Sequence, residues 1–145
     1  NDYDFVKDPA KAGDSRWIHR PKMQWEFLEE LDDHRNAGNG SIRTHIYCTT
    51  QKLIALRKSL PALAGQEMDL IALANEHVLG YIRINEGNRL IVLANFSEEP
   101  QQIDGNKIRT AGLGRFFQNM IDDKTYATSE NIVLAPYQIL WLNRV

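Results

Sequence analysis

"HVLGYIRINEGNRLIVLANF", residues 77–96, is two apolar runs of similar length with four polar residues between them. Val78, Tyr81, Ile82 and Ile84 in the first run, and Leu90 to Ala94 in the second, are the β-branched, aromatic and aliphatic types that fit a pleated surface. Asn85-Glu86-Gly87-Asn88 supplies Gly and Asn, which tolerate the positive φ of a tight hairpin turn. The stretch therefore predicts an antiparallel hairpin.

Working outward, further short apolar or alternating runs flank it: "MDLIALA" from Met68, "RFFQNMI" from Arg115, "NIVLA" from Asn131 and "YQILWLN" from Tyr137. "SEEPQ", "AGLG", "DDK" and Pro136 punctuate them. Closely spaced strands of this kind predict an antiparallel sandwich or barrel. Phe96, Tyr137 and Trp141 sit within apolar runs and are expected to be buried.

Before Pro61 the pattern changes. Ile42, Ile46, Thr49, Leu53, Leu56 and Leu60 recur at steps of four and three, which predicts a helix over 41–60 with one apolar face. Ser41 is its expected cap, Arg57 and Lys58 suit its C-terminal dipole, and Pro61 stops it. "MQWEFLEELDDHR", 23–35, predicts a short helix with Trp25 or Leu28 and Leu31 inward, and "NAGNG" breaks the chain after it. Residues 1–22 read as loop. The character of the chain changes near Pro61, with loop and helix before it and strand and turn after it.

Composition removes several function classes. Seventeen basic against nineteen acidic residues leave a net charge of −2, without the basic excess that nucleic acid or a membrane surface calls for. No apolar run approaches the ~20 residues of a membrane span. The start, "NDYDFVKDPAK", has neither the basic nor the apolar region of a signal peptide and lacks Met, which suits a chain cut from something longer. Cys48 is the only cysteine, so it can form no internal disulfide, and it is expected to be a small packing residue on the helix. A reducing, cytoplasmic compartment is compatible with it.

Catalytic signatures are absent from the pattern. His19, His34, His45 and His77 lack metal-ligand spacing, and His45 with Cys48 makes only two ligands. Glu29, Glu30, Asp32 and Asp33 form a solvated run, not a pair with separated pKa values. There is no GxSxG elbow and no phosphate-binding glycine loop. One short loop is chemically dense: "GDSRWIHRP", 13–21, gathers Asp14, Arg16, Trp17, His19 and Arg20. Two readings stay open for it. Asp14 pairs with an arginine while Trp17 plugs a core, or the charged fork and indole grip a polar ring-shaped ligand.

"DPAKAGDSRWIHRP", "KLIALRKSLPAL", "LIVLANFSEEPQ" and "APYQILWL", in that order, resemble the C-terminal part of α-amylase-superfamily enzymes. The first block resembles the amylosucrases, sucrose-using glucosyltransferases, at the loop after their eighth barrel strand. The resemblance implies a mainly β chain: an antiparallel C-terminal β-sandwich preceded by a loop and helices that look like the last turn of a (β/α)8 barrel. It implies transfer of glucosyl units from sucrose to an α-glucan with release of fructose, without a cofactor. The family's catalytic carboxylates lie on earlier strands outside this sequence, so the chain alone is expected to be inactive. Arg16 matches the family arginine that contacts the fructosyl unit, with Trp17, His19 and Arg20 as its neighbours. Alternatives are a sucrose hydrolase or sugar isomerase on the same scaffold, a non-catalytic carbohydrate-binding sandwich marked by exposed sheet-face aromatics, or an interaction domain. Cut from its barrel, the 41–60 helix is expected to drive self-association through its apolar stripe.

Overall fold

The computed structural model describes residues 3–19 and 42–145. The expected helix at 23–35, its inward and carboxylate residues, His34, the breaker cluster, the Ser41 cap and Arg20 lie outside the described residues. The chain divides into two compact units, 1–47 and 48–145.

In the first unit the expected loop contains two 3-10 turns, Tyr3–Lys7 and Ser15–His19. Asp8 ties the segment between them together. Its carboxylate accepts from the Ala10 N–H at 3.0 Å and pairs with Lys11 at 3.1 Å. The Lys11 ammonium and the Ala10 N–H hold the Asp8 pKa below its ordinary value.

Helix α1 spans Ile42–Ser59, as the four-three spacing predicts, and its residues from Cys48 onward belong to the second unit. The Leu60 N–H still donates to the Leu56 carbonyl at 3.0 Å, and Pro61 then opens a short 3-10 turn, Pro61–Leu63. The stripe is only partly covered. Leu60 is buried and Leu53 and Leu56 are half-buried, but Ile42, Ile46 and Thr49 are exposed. Cys48 is half-buried.

Eight strands follow. They are β1 (Glu67–Leu70), β2 (Val78–Asn85), β3 (Asn88–Asn95), β4 (Gln101–Ile103), β5 (Phe116–Asn119), β6 (Thr125–Ala127), β7 (Ile132–Leu134) and β8 (Ile139–Arg144). A second helix, α2 (Gly105–Gly112), separates β4 from β5. Six strands form one antiparallel sheet in the order β1-β2-β3-β8-β5-β6, and β4 pairs with β7 in a second, two-stranded one.

The hairpin is the one expected. Asn85 faces Asn88 across the turn, and Glu86 and Gly87 take φ of 48° and 81°. Two positive φ angles are the primed turn that matches the strands' own twist. Elsewhere the runs shorten: "MDLIALA" is a strand only to Leu70, because Ala74 turns into the left-handed region at φ 52°. Three elements give little sequence signal, namely β4, β6 and α2. Asp104 starts α2 by accepting from the Asn106 N–H at 2.9 Å, as an N-cap does.

The sheet is covered on both faces. On the inner face, Val78, Ile82, Ile91, Leu93, Phe117, Leu140 and Leu142 meet Ile108 of α2 and Ile103, Ile132 and Leu134 of the second sheet. On the outer face, Leu90 and Val92 join Leu60, Ala62 and Leu63, with Leu56, Tyr81, Met120 and Trp141 packed against them. At ~1.5–3 kcal/mol for each fully buried side chain, these clusters account for the fold. Phe96 and Tyr137 correct the expectation of burial. They are 69% and 62% exposed, because Phe96 follows the end of β3 and Tyr137 precedes the start of β8, whereas Trp141 is half-buried within the outer cluster.

Among the described residues Arg83 Nε is buried without a hydrogen-bond partner, whereas the buried Asn119 is paired. Asn119 Oδ1 accepts from the Trp141 N–H at 2.8 Å, and its Nδ2 donates to Asp122 at 2.7 Å, fixing the β5–β6 turn against β8. Burial raises the Asp122 pKa, but the Lys124 N–H, the Asn119 amide and the Lys124 ammonium outweigh it, and the net shift is downward.

A group with a depressed folded-state pKa adds stability above its unfolded value, and that contribution is lost as the pH falls through the folded one. Asp122→Asn should therefore flatten the acid limb of a Tm–pH curve at pH values below the ordinary 3.8; an unchanged limb would contradict this role. Gly105 tests the inner packing: a Cβ there would collide with the backbone carbonyls of Glu130 and Thr128. Gly105→Ala should cost about 1–3 kcal/mol by urea unfolding, although helix propensity alone favours Ala by ~1 kcal/mol.

Candidate functional site: the loop at 13–19

The "GDSRWIH" loop folds as a 3-10 turn started by Asp14. The Trp17 N–H donates to the Asp14 carbonyl at 3.2 Å, and the Arg16 N–H to its carboxylate at 3.0 Å. The same carboxylate takes the Arg16 side chain in a fork. Nε lies 2.8 and 3.0 Å from the two oxygens, and Nη2 is 2.8 Å from Oδ2. This pair is the first of the two open readings for the loop. It does not bury the arginine, whose side chain stays 73% exposed beside an Asp14 at 34%. The hydrogen bond and charge of Asp14 raise the Arg16 pKa.

Trp17 is half-buried, and Lys11 Nζ stands 5.2 Å from its ring centroid, within reach of a cation–π contact. Lys11 is the member of the cluster that sequence reasoning passed over. It lies six residues before the ring, just ahead of "GDSRWIHRP", and no local spacing rule pairs the two. His19 closes the turn and is exposed. The turn thus brings together Asp14, Arg16 and Trp17, with Lys11 over the indole.

The loop can offer a guanidinium to a ligand, but it holds no paired carboxylates and no nucleophile beside a base. Among the described residues no three His, Cys, Asp or Glu side chains lie close enough to hold a metal ion, and no helix is long and apolar enough to cross a membrane.

In the second unit an open cleft lies between β1, β2 and α2, lined by the apolar Ile71, Ile82 and Ala111 and by Asp69, Arg89 and Lys107. Both cations are spent on the backbone. Arg89 donates to the Ala111 carbonyl at 3.2 Å and Lys107 to that of Leu73 at 2.7 Å.

Since Arg16 is exposed and Asp14 only half-buried, their fork is a weak clasp. Arg16→Ala should leave the Tm of this chain unchanged within measurement error. A clear fall in Tm would make the loop a structural clasp.

The fold recurs in solved enzymes. A variant of AmyP in complex with maltotriose is similar over 63% of this chain and 19% of its own, at 23% identity and a TM-score of 0.53. An Anoxybacillus α-amylase matches 70% of this chain and 23% of its own, at 17% identity and a TM-score of 0.57. The trehalulose synthase MutB, in complex with Tris, matches 76% and 19%, at 23% identity and a TM-score of 0.55. At these identities the likeness is one of fold, and the chain spans about a fifth of the length of these structures. The family model of the maltogenic amylase C-terminal domain matches residues 68–141, from β1 through Trp141 of β8. The chain belongs to that family of C-terminal domains of α-amylase-type enzymes.

Proposed function

We propose that this chain is the C-terminal part of an amylosucrase-like enzyme, which transfers glucosyl units from sucrose to an α-glucan and releases fructose. In this reading residues 1–64 end the catalytic barrel and 65–145 form the appended sandwich. The single observation that carries it is the "DSRWIHRP" block, whose Arg16 is held by Asp14 and yet largely exposed. Membership in the C-terminal domain family supports the coarser part, a barrel enzyme acting on glucosides.

In the parent a carboxylate attacks the glucosyl carbon, the bond to the fructosyl oxygen breaks, and an acid protonates that oxygen. A glucan hydroxyl then displaces the carboxylate. This chain contributes binding. Asp14 orients the guanidinium through Nε and Nη2, and the Nη1 side of the fork donates to fructosyl hydroxyls, an arrangement that suits arginine's fixed geometry. Trp17 and His19 shape the wall of that subsite, at the C-terminal barrel face where this fold holds its substrates.

A sugar isomerase is the second reading, favoured by the fold shared with trehalulose synthase. Product analysis separates the two: a growing glucan with free fructose, against an isomeric disaccharide. Sucrose hydrolysis would give glucose and fructose. Without its barrel the chain exposes Ile42, Ile46 and Ile54 of α1, and we expect it to self-associate through them; a strictly monomeric chain by sedimentation would count against this.

The purified chain should release no fructose from sucrose. In the full-length parent, Arg16→Ala should lower kcat/KM for sucrose by about ten- to hundredfold at unchanged Tm, and Arg16→Lys should restore only part. Normal turnover in both variants, combined with early melting, would overturn the binding role.

A further inference from the structure

The passage from α2 into β5 gathers positive charge that no acid meets. Arg109 lies in the last turn of α2, and Arg115 directly precedes β5. Both side chains are exposed. Among the described residues neither guanidinium has a carboxylate or hydrogen-bond partner. With Phe116, Thr128 and Ser129 they line a cavity of about 390 Å³, and no acidic side chain lines it. Small-ligand sites span ~300–1,000 Å³.

The cavity is held by backbone. Leu113 ends α2 in the left-handed region at φ 54°. The Thr128 N–H and hydroxyl both donate to the Arg115 carbonyl, at 2.9 and 3.1 Å, which fastens the start of β5 to the chain after β6. In the cleft beside β1, by contrast, Arg89 and Lys107 are bonded to carbonyls. A complement to the α2 dipole accounts for Arg109 alone. It leaves out Arg115 and the neighbouring Phe116 ring, which is 54% exposed.

The lining selects the ligand class. Two guanidinium forks without a carboxylate suit the oxygens of a phosphoryl group, and the exposed Ser129 adds a hydroxyl. A bare phosphate has no use for the apolar ring face of Phe116. A sugar carrying the phosphoryl group does, because the C–H face of its ring packs there while its hydroxyls stay in water. We propose that this cavity binds the phosphoryl group of a phosphorylated sugar. The site lies wholly within the second unit, and the inference does not rest on sucrose being the substrate.

The test is calorimetric titration of the chain with glucose 6-phosphate, inorganic phosphate and glucose. Glucose 6-phosphate should bind most tightly, inorganic phosphate more weakly, and glucose not at all. Arg109→Gln and Arg115→Gln should each weaken the sugar phosphate by about tenfold or more, and Arg115→Lys, which keeps the charge but loses the fork, should restore only part. Phe116→Ala should reduce its affinity to that of inorganic phosphate. Arg57→Gln, at an exposed arginine of α1, should change nothing. All the replaced side chains are exposed, so Tm should hold in every variant. Equal affinity for the two phosphates would keep the phosphoryl site and overturn its sugar. The proposal is overturned if neither phosphate binds, if glucose binds as tightly as its phosphate, or if Arg57→Gln weakens binding as much as the cavity variants do. It is also overturned if Arg109→Gln lowers Tm at unchanged affinity, because the arginine would then serve the helix end alone.

Discussion

Strand β3 is the constraint on which the second unit depends, because it is buried from both sides. Leu90 and Val92 point to the outer cluster and Ile91 and Leu93 to the inner one, and none is more than 4% exposed. An antiparallel strand usually has one solvated face; this one needs two covers. The inner cover is α2 and the β4–β7 pair. The outer one comes from the chain just before the sheet, through Leu56, Leu60, Ala62 and Leu63. The segment from α1 to the 3-10 turn is therefore part of the sandwich's core, not a tether to it.

This double burial also explains which parts of the fold were legible in the sequence. Leu90 to Ala94 is a continuous apolar run, the pattern of a strand buried on both faces, and the NEGN turn fixed its partner and register. The 41–60 helix was legible because its spacing and Pro61 agree. By contrast, Gln101–Ile103 and Thr125–Ala127 are three-residue strands, too short for any alternation to show. Helix α2 holds two glycines and one fully buried anchor, Ile108, so its tertiary seat outweighs weak propensity. Phe96 and Tyr137 were misread as core because apolar runs reveal strands but not where the cover ends.

At the 13–19 loop, composition singled out Asp14, Arg16 and Trp17, which the turn brings together, but left their arrangement open. Asp14 and Arg16 are two apart, and they meet because Asp14 precedes the 3-10 turn and accepts from both the Arg16 N–H and its guanidinium. The turn could not be foreseen from residues that carry no periodicity. Nor could the stacking of Lys11 on Trp17. The pairing and the exposure of Arg16 are compatible properties: a carboxylate that fixes the fork on one side leaves the other side oriented.

The central claim, that β3 joins the two covers into one cooperative unit, is tested most directly by native-state hydrogen exchange at the amides of residues 90–93. The account predicts that they open only with global unfolding, with a protection free energy equal to the unfolding free energy from denaturant. Leu60→Ala on the outer side and Ile108→Ala on the inner side should each lower that protection together with global stability. Opening of β3 in a separate, smaller step, or protection that is indifferent to the loss of one cover, would contradict it.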